Sequence, residues 1–361
     1  MRIAIAIDRL STGGAAKVMY SLAQELQNSG HEPHFLLMND HNVYKDITSI
    51  PVHVCFPGRH RKLNGLLSAN AMADVLKEKI SDIEKEVGNF DFFLSNLDKT
   101  NLLMIKSQVS PLYVVVHASV KAELQRHAKL GPIKYLRKLR AKKALNEQNV
   151  ITVSEGIEGE IKNIDFINPK TIKTIYNPFN VSEIIEKSNE ENKHIPDAEY
   201  LIHVGRFVKQ KRHDVLFDSI SKMKNKLPVV LLVNNEDKVR KLAEKYNVAD
   251  RVILPGHQTN PYPWIKNAKA MVLSSDFEGL PTVLIESLIC GTPIVSTDCP
   301  HGPKEILKEQ LSKYLVPVQD SSALATAVDN ILADNPSIKD MDIVDEVRAS
   351  NIANIYIEHC K

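Results

Sequence analysis

The chain has 361 residues, 43% apolar and 25% charged, a balance that excludes long disordered stretches and predicts two domains. Its 46 Lys and Arg against 44 Asp and Glu leave a net charge of +2, which excludes a globally basic nucleic-acid binder. The four cysteines, Cys55, Cys290, Cys299 and Cys360, form no CxxC pair, so neither a zinc ribbon nor a disulfide framework is expected and the setting is a reducing one.

Residues 2–7 (RIAIAI) are a short apolar run that reads as a buried parallel strand. Asp8 and Arg9 end it too early for a signal peptide, and no run of eighteen apolar residues occurs anywhere. A cytoplasmic protein is expected, with any membrane contact peripheral and on the inner face of the cell membrane. Residues 11–16 (STGGAA) form a small-residue loop, a helical pattern runs to Gly30, and 34–38 (HFLLM) is the next strand. This βαβ opening predicts a doubly wound sheet with ligands at the strand C-termini. Strands follow at 90–96, 112–119 and 149–154, and Ser154 reads as the N-cap of a helix at 155–163. Residues 181–200 are polar and charge-rich, and the βαβ pattern restarts after them. Strands are predicted at 200–205, 228–233, 251–256, 270–275 and 293–297, with helices at 237–246 and 281–290, the latter stopped by Gly291. The last stretch, 339–360, is helical in pattern. The expected boundaries are a first domain at 1–180, a linker at 181–198, a second domain at 199–338 and a C-terminal helix at 339–361 that packs back on the first domain. Two such α/β domains in tandem would face a central cleft.

Two stretches carry chemistry. In 274–286 (SSDFEGLPTVLIE) a strand ends at Ser275 and a helix starts near Pro281, where proline suits the first helical position. Free backbone N–H groups there make an anion site, and Glu278 and Glu286 flank it as carboxylates suited to sugar hydroxyls. The bland alternative is that these acids only favour the helix dipole. In 203–212 (HVGRFVKQKR), Arg206 and Lys211 follow the first strand of the second half and lie on the same rim. Cations there neutralise a diphosphate leaving group without a metal, unless the loop is merely a solvated basic one.

With these residues in place, the chain resembles the retaining family-4 glycosyltransferases of the GT-B fold. The E-x7-E element is Glu278 to Glu286, and VGRFVKQK is the phosphate element. The loop Thr12-Gly13-Gly14-Ala15 is similar to the family's glycine-rich loop, and His117 to its first-domain active-site histidine. VSEGI at 153–157 and YNP at 176–178 resemble its domain-junction landmarks, so the resemblance spans nearly the whole chain in family order. The resemblance implies that Arg206 and Lys211 bind the donor diphosphate, that Glu278 holds the transferred sugar and that Glu286 holds the ribose. The backbone of Gly279, Leu280, Pro281 and Thr282 would cradle the distal phosphate, with Gly205 in the phosphate element. Gly13 and Gly14 would allow close approach to that phosphate. His117 would face the sugar and the acceptor from the first domain, unless it is a histidine satisfied within the fold. No metal or other cofactor is implied. The chain departs from the family where Asn234-Asn235-Glu236-Asp237 replaces a common Gly-Asp pair and where Ala118 follows the histidine.

Further segments refine the resemblance. Gly256, His257 and the stretch 260–265 (NPYPWI) fall where the family contacts the base. Residues 297–306 (TDCPHGPKEI) resemble an element of members that build bacterial lipopolysaccharide or capsule, which implies a UDP-sugar donor carrying a hexose or N-acetylhexosamine. The segment 121–143 is densely basic; Lys134, Arg137, Lys138, Arg140, Lys142 and Lys143 fall within ten residues, with Tyr135, Leu136 and Leu139 as a narrow apolar side. It reads as an exposed basic helix, or as one that meets an anionic membrane or a lipid-linked saccharide acceptor. Arg59-His60-Arg61-Lys62 adds a second basic cluster. Asn96, Asp98 and Asn101 either line an acceptor pocket or cap a helix, and the D-x-D match at Asp340-Met341-Asp342 reads as helix N-terminal decoration. The alternatives are a GDP-mannose-dependent or soluble-acceptor enzyme of the same fold and a non-catalytic nucleotide-sugar-binding protein. No nucleic-acid partner is expected.

Overall fold

The computed structural model describes residues 1–11, 13–43, 49–58, 69–338 and 341–361. Thr12, the basic cluster 59–62 and Asp340 of the D-x-D match lie outside the described residues. The chain divides into two compact units, Met1–Phe179 with Val347–Lys361, and Asn180–Glu346.

The first unit runs β1 (Arg2–Ile7), α1 (Gly14–Asn28), β2 (Glu32–Leu37), β3 (Val52–Val54), α2 (Ala69–Val87), β4 (Phe92–Asn96), α3 (Asp98–Ser107), β5 (Leu112–Val116), α4 (Val120–Ala128), α5 (Pro132–Lys143), β6 (Asn149–Thr152), α6 (Glu155–Lys162) and β7 (Thr171–Thr174). Its seven strands are parallel in the order β3-β2-β1-β4-β5-β6-β7. Ile3, Ala4, Ile5, Ala6 and Ile7 are all fully buried, because helices cover both faces of a parallel sheet and each side of the strand must be apolar. The Ser154 hydroxyl accepts from the Ile157 amide and caps α6, as its position predicts.

The second unit runs α7 (Val181–Ser188), β8 (Leu201–Val204), α8 (His213–Lys222), β9 (Val229–Leu232), α9 (Glu236–Lys245), β10 (Val252–Ile253), α10 (Tyr262–Lys266), β11 (Ala270–Leu273), α11 (Thr282–Ile289), β12 (Ile294–Thr297), α12 (Pro303–Ile306), β13 (Leu315–Val316), α13 (Ser321–Asp334) and α14 (Asp342–Glu346). Its six strands are parallel in the order β10-β9-β8-β11-β12-β13. The final helix, α15 (Ala349–Cys360), packs on α1 and belongs to the first unit.

Several expected boundaries move. Residues 181–188, expected in a linker, are α7, whose Val181 and Ile184 are buried and which packs on α10 and α11. The C-terminal helix expected from 339 is two helices, α14 in the second unit and α15 in the first. The single basic helix expected at 121–143 breaks at residues 129–131 into α4 and α5. In the stretch 260–265, residues 260 and 261 lead into α10, whose Tyr262, Pro263, Trp264 and Ile265 side chains are buried.

Candidate active site

In the second unit the sheet order reverses between β8 and β11, and open doubly wound sheets hold ligands at the strand C-termini beside such a reversal. The loops leaving these two strands carry the residues singled out in the sequence. The loop after β8 holds Gly205, exposed Arg206 and a 3₁₀ turn at Lys209–Lys211. The loop after β11 holds Glu278, Gly279, Leu280 and Pro281 and leads into α11. Pro281 stands at the N-cap rather than inside the first turn, and no side chain caps the helix, which leaves the Thr282 and Val283 amides available to an anion.

The two loops are tied together. Lys211 Nζ donates to Glu278 Oε1 at 2.8 Å, an ion pair whose side chains are only 16% and 10% exposed. The Asp276 amide donates to the Gln210 carbonyl (2.9 Å), and Gln210 Nε2 donates to the Phe277 carbonyl (2.7 Å). Ser274 Oγ donates to the Lys211 carbonyl at 2.8 Å, and Arg212 forms ion pairs with both Asp214 and Asp276. Gly205 lets the Lys211 stem cross its backbone, since a Cβ there would stand 3.3 Å from Lys211 Cε. Beneath this loop His203 is fully buried and donates through Nδ1 to the Val272 carbonyl at 2.9 Å, with the His213 ring edge-on at 4.9 Å. Burial holds both imidazoles well below the usual histidine range, His213 at about 4.

A third loop supports the second. The Glu278 amide donates to the Pro300 carbonyl at 2.7 Å. Gly302 has φ +95°, and a Cβ on it would stand 2.4 Å from Pro281 Cδ and 3.1 Å from the Gly279 carbonyl oxygen. Residues 300–302 thus form the floor of the Gly279–Pro281 turn. Glu286 is buried in α11 and accepts a 3.4 Å hydrogen bond from the Tyr262 hydroxyl. Gly256 is buried and His257 is exposed in the loop after β10.

In the first unit the order reverses between β1 and β4. Gly13 is the N-cap of α1, and among the described residues nothing beyond its chain neighbours and its own helix backbone lies within 4 Å of a Cβ built on Gly14. His117 follows β5, and its Nε2 lies 2.8 Å from Asn96 Oδ1. The Asn96 amide nitrogen donates to the Ala6 carbonyl at 3.2 Å, which turns Oδ1 toward the histidine, so Nε2 carries the imidazole proton. Burial, then the charge of Lys142, push His117 down to about 4, so its ring is neutral at neutral pH. Asn96, expected to line an acceptor pocket or cap a helix, is fully buried with its Oδ1 against the His117 ring.

The basic helix is reoriented. Lys138 and Lys142 point inward: Lys142 pairs with Asp98 (2.8 Å) and Glu123 (2.7 Å), and Lys138 with Asp98 (2.6 Å) and Glu123 (3.0 Å). Lys142 is 2% exposed, and neither cation is free for a membrane, because two half-buried carboxylates hold both. Arg140 is half-buried and Lys143 exposed. The outer face instead shows Leu130, Ile133 and Leu136 at 52%, 63% and 57% exposure, beside exposed Arg126, Lys129, Lys134 and Arg137. Sequence reading missed the roles of Gln210, Gly302 and this charge cluster; Gly302 was visible in the 297–306 motif, but its contact with Pro281 was not.

Two parallel doubly wound sheets in one chain are the architecture of the GT-B fold, and the chain matches two glycosyltransferase family models, one over each half. Residues 12–183 match the family described as Glycosyltransferase Family 4, and residues 184–347 match Glycosyl transferases group 1. The chain is similar to the lipopolysaccharide 1,6-galactosyltransferase of Escherichia coli, at 30% identity over 51% of this chain and 52% of that one. It is also similar, at 24% identity over 94% of this chain and 91% of the relative, to a Campylobacter jejuni N-acetyl-D-galactosaminyltransferase named for a diphospho-undecaprenol-linked saccharide. The chain spans about half the length, or less, of the first curated relatives it matches. In fold it is similar to the Anabaena protein HepE solved in complex with UDP, with TM-score 0.77, 17% identity and 99% of each chain covered.

Proposed function

We propose that the protein is a retaining glycosyltransferase that moves a hexose or N-acetylhexosamine from a UDP-sugar to a saccharide acceptor in surface-glycan synthesis. The observation that carries this reading is the meeting of Lys211 and Glu278 at the strand reversal of the second unit. One group suits a diphosphate and the other a sugar hydroxyl, and no apolar ligand needs both. Arg206, Lys211 and the first-turn amides of α11 meet the charge that develops on the leaving diphosphate, so the reaction runs without a metal. Glu286 holds the nucleotide ribose, and a donor phosphate oxygen takes the proton of the attacking hydroxyl. The similarity to enzymes named for lipopolysaccharide and for a diphospho-undecaprenol acceptor supports a lipid-linked acceptor, and the UDP-bound neighbour supports UDP. An anionic membrane surface then meets the α4–α5 outer face, where Leu130, Ile133 and Leu136 stand among cations. Among the described residues no helix is long and apolar enough to cross a membrane.

The test is nucleoside diphosphate release from a panel of UDP- and GDP-sugars with EDTA present. Release from one UDP-sugar, lowered about 10²-fold in Lys211→Ala and in Glu278→Ala, is expected. Release from a GDP-sugar replaces the donor assignment, and dependence on an added divalent ion removes the metal-free one. Equal release by the variants removes both residues from the mechanism.

A further inference from the structure

We propose that the Lys211–Glu278 ion pair is a selector that favours the intact sugar nucleotide over the nucleoside diphosphate product. The inference deepens the reading above and rests on it. The group assigned to the diphosphate and the group assigned to the sugar neutralise each other at 2.8 Å. Both side chains are largely withdrawn from water, at 16% and 10% exposure, so separating them leaves two poorly solvated charges.

A nucleoside diphosphate carries the anions but lacks the hydroxyls of the transferred sugar. To engage Lys211 it must take the ammonium from Glu278 and leave that carboxylate, among the described residues, with only the Gln210 Nε2, 3.4 Å from its other oxygen. A sugar nucleotide replaces both halves of the pair, phosphate oxygens for Lys211 and hydroxyl donors for Glu278. The exchange is balanced for the donor and unbalanced for the product. Once the sugar has been transferred, Glu278 reclaims Lys211 and weakens the hold on the diphosphate.

The architecture permits this exchange without rebuilding the loops. Lys211 hangs from a backbone fixed by Ser274 Oγ, and its stem crosses Gly205. Glu278 hangs from a backbone fixed by the Pro300 carbonyl. The two loops are joined through Gln210, which bonds to both the Asp276 amide and the Phe277 carbonyl. Only two side-chain ends need move.

The experiment is calorimetric binding of UDP and of GDP to the full chain and to three variants, Glu278→Gln, Lys211→Met and the double variant, each checked for folding by circular dichroism. Glu278→Gln is expected to bind UDP about tenfold more tightly than the unaltered protein while losing sugar release. In the Lys211→Met background the same change is expected to yield no gain. A gain that survives in the double variant means simple repulsion between the carboxylate and the diphosphate, and it overturns the proposal. So does UDP binding that is unchanged or weakened in Glu278→Gln. If the Gln variant does not fold, Glu278→Asp keeps the charge but draws it back from Lys211; a Lys211-dependent tightening supports the proposal, and none overturns it. Binding of neither diphosphate by any form overturns the functional reading together with the proposal. Binding without the Lys211-dependent gain overturns the proposal alone.

Discussion

At the scale of single residues, Gly302 decides the geometry of a loop it does not belong to. Its backbone lies so close to the Gly279–Pro281 turn that a Cβ would meet Pro281 Cδ at 2.4 Å and the Leu280 Cα at 3.1 Å. Its φ of +95° adds strain for any side chain. Gly302→Ala is expected to raise the donor KM severalfold and lower the melting temperature, because the Gly279–Pro281 turn must shift. Steady-state kinetics beside a thermal melt checks this; a lowered melting temperature with unchanged donor KM would remove the turn from the argument. The glycine was legible as part of a motif. Its reason was not, since Pro281 is remote in sequence and nothing local predicts the approach.

At the scale of elements, α5 shows how a charge run misleads. Ten residues with six cations read as a solvated or lipid-facing surface, yet Lys138 and Lys142 lie four apart, on one face, and that face turns to Asp98 of α3 and Glu123 of α4. Burial alone would raise the Asp98 carboxyl, but Lys142 and Lys138 hold it down to about 2. Three helices are thus joined by one cluster of four charges. Lys142→Met is expected to destabilise the first unit by about 3 kcal/mol, since it leaves two carboxylates largely away from water to share Lys138 alone. Urea unfolding measures the loss, and adding Asp98→Asn is expected to restore part of it. The same variant removes a cation that depresses His117, so the imidazole pKa should rise, which NMR titration reads directly.

At the scale of the whole molecule, part of the pH response follows from three imidazoles that burial depresses, half-buried His117 in the first unit and buried His203 and His213 in the second. Each has its folded value below the ordinary 6.5, with His117 and His213 at about 4. Between these values the unfolded chain binds a proton that the folded chain refuses, so stability rises with pH in that window and is lost as pH falls from about 6.5 toward 4. Urea midpoints at pH 7 and pH 4.5 check this, and His213→Gln is expected to flatten the slope. Activity should show no histidine titration from His117 between pH 5 and 8. The outer face of α4 and α5 makes a second prediction. Leu130→Ser, Ile133→Ser and Leu136→Ser together are expected to cut binding to phosphatidylglycerol vesicles about tenfold, with donor release unchanged. Neutralising Lys138 and Lys142 instead should lower stability, because both are spent on Asp98 and Glu123.

The sequence by itself determined two parallel α/β sheets, the cap at Ser154, the loop positions of His117, Arg206, Lys211 and Glu278 after their strands, and the place of Glu286 in the helix that follows. Apolar runs, helical periodicity and capping residues are local signals, and each is complete within a few residues. Only the tertiary structure decided which groups meet. Lys211 and Glu278 are 67 residues apart, Lys142 and Asp98 44, and His117 and Asn96 21. The order of strands brings their loops together, and that order is settled by the burial of whole sheets rather than by any short segment. For the same reason a run of lysines that looks uniform along the chain splits into cations that hold helices and cations that face water.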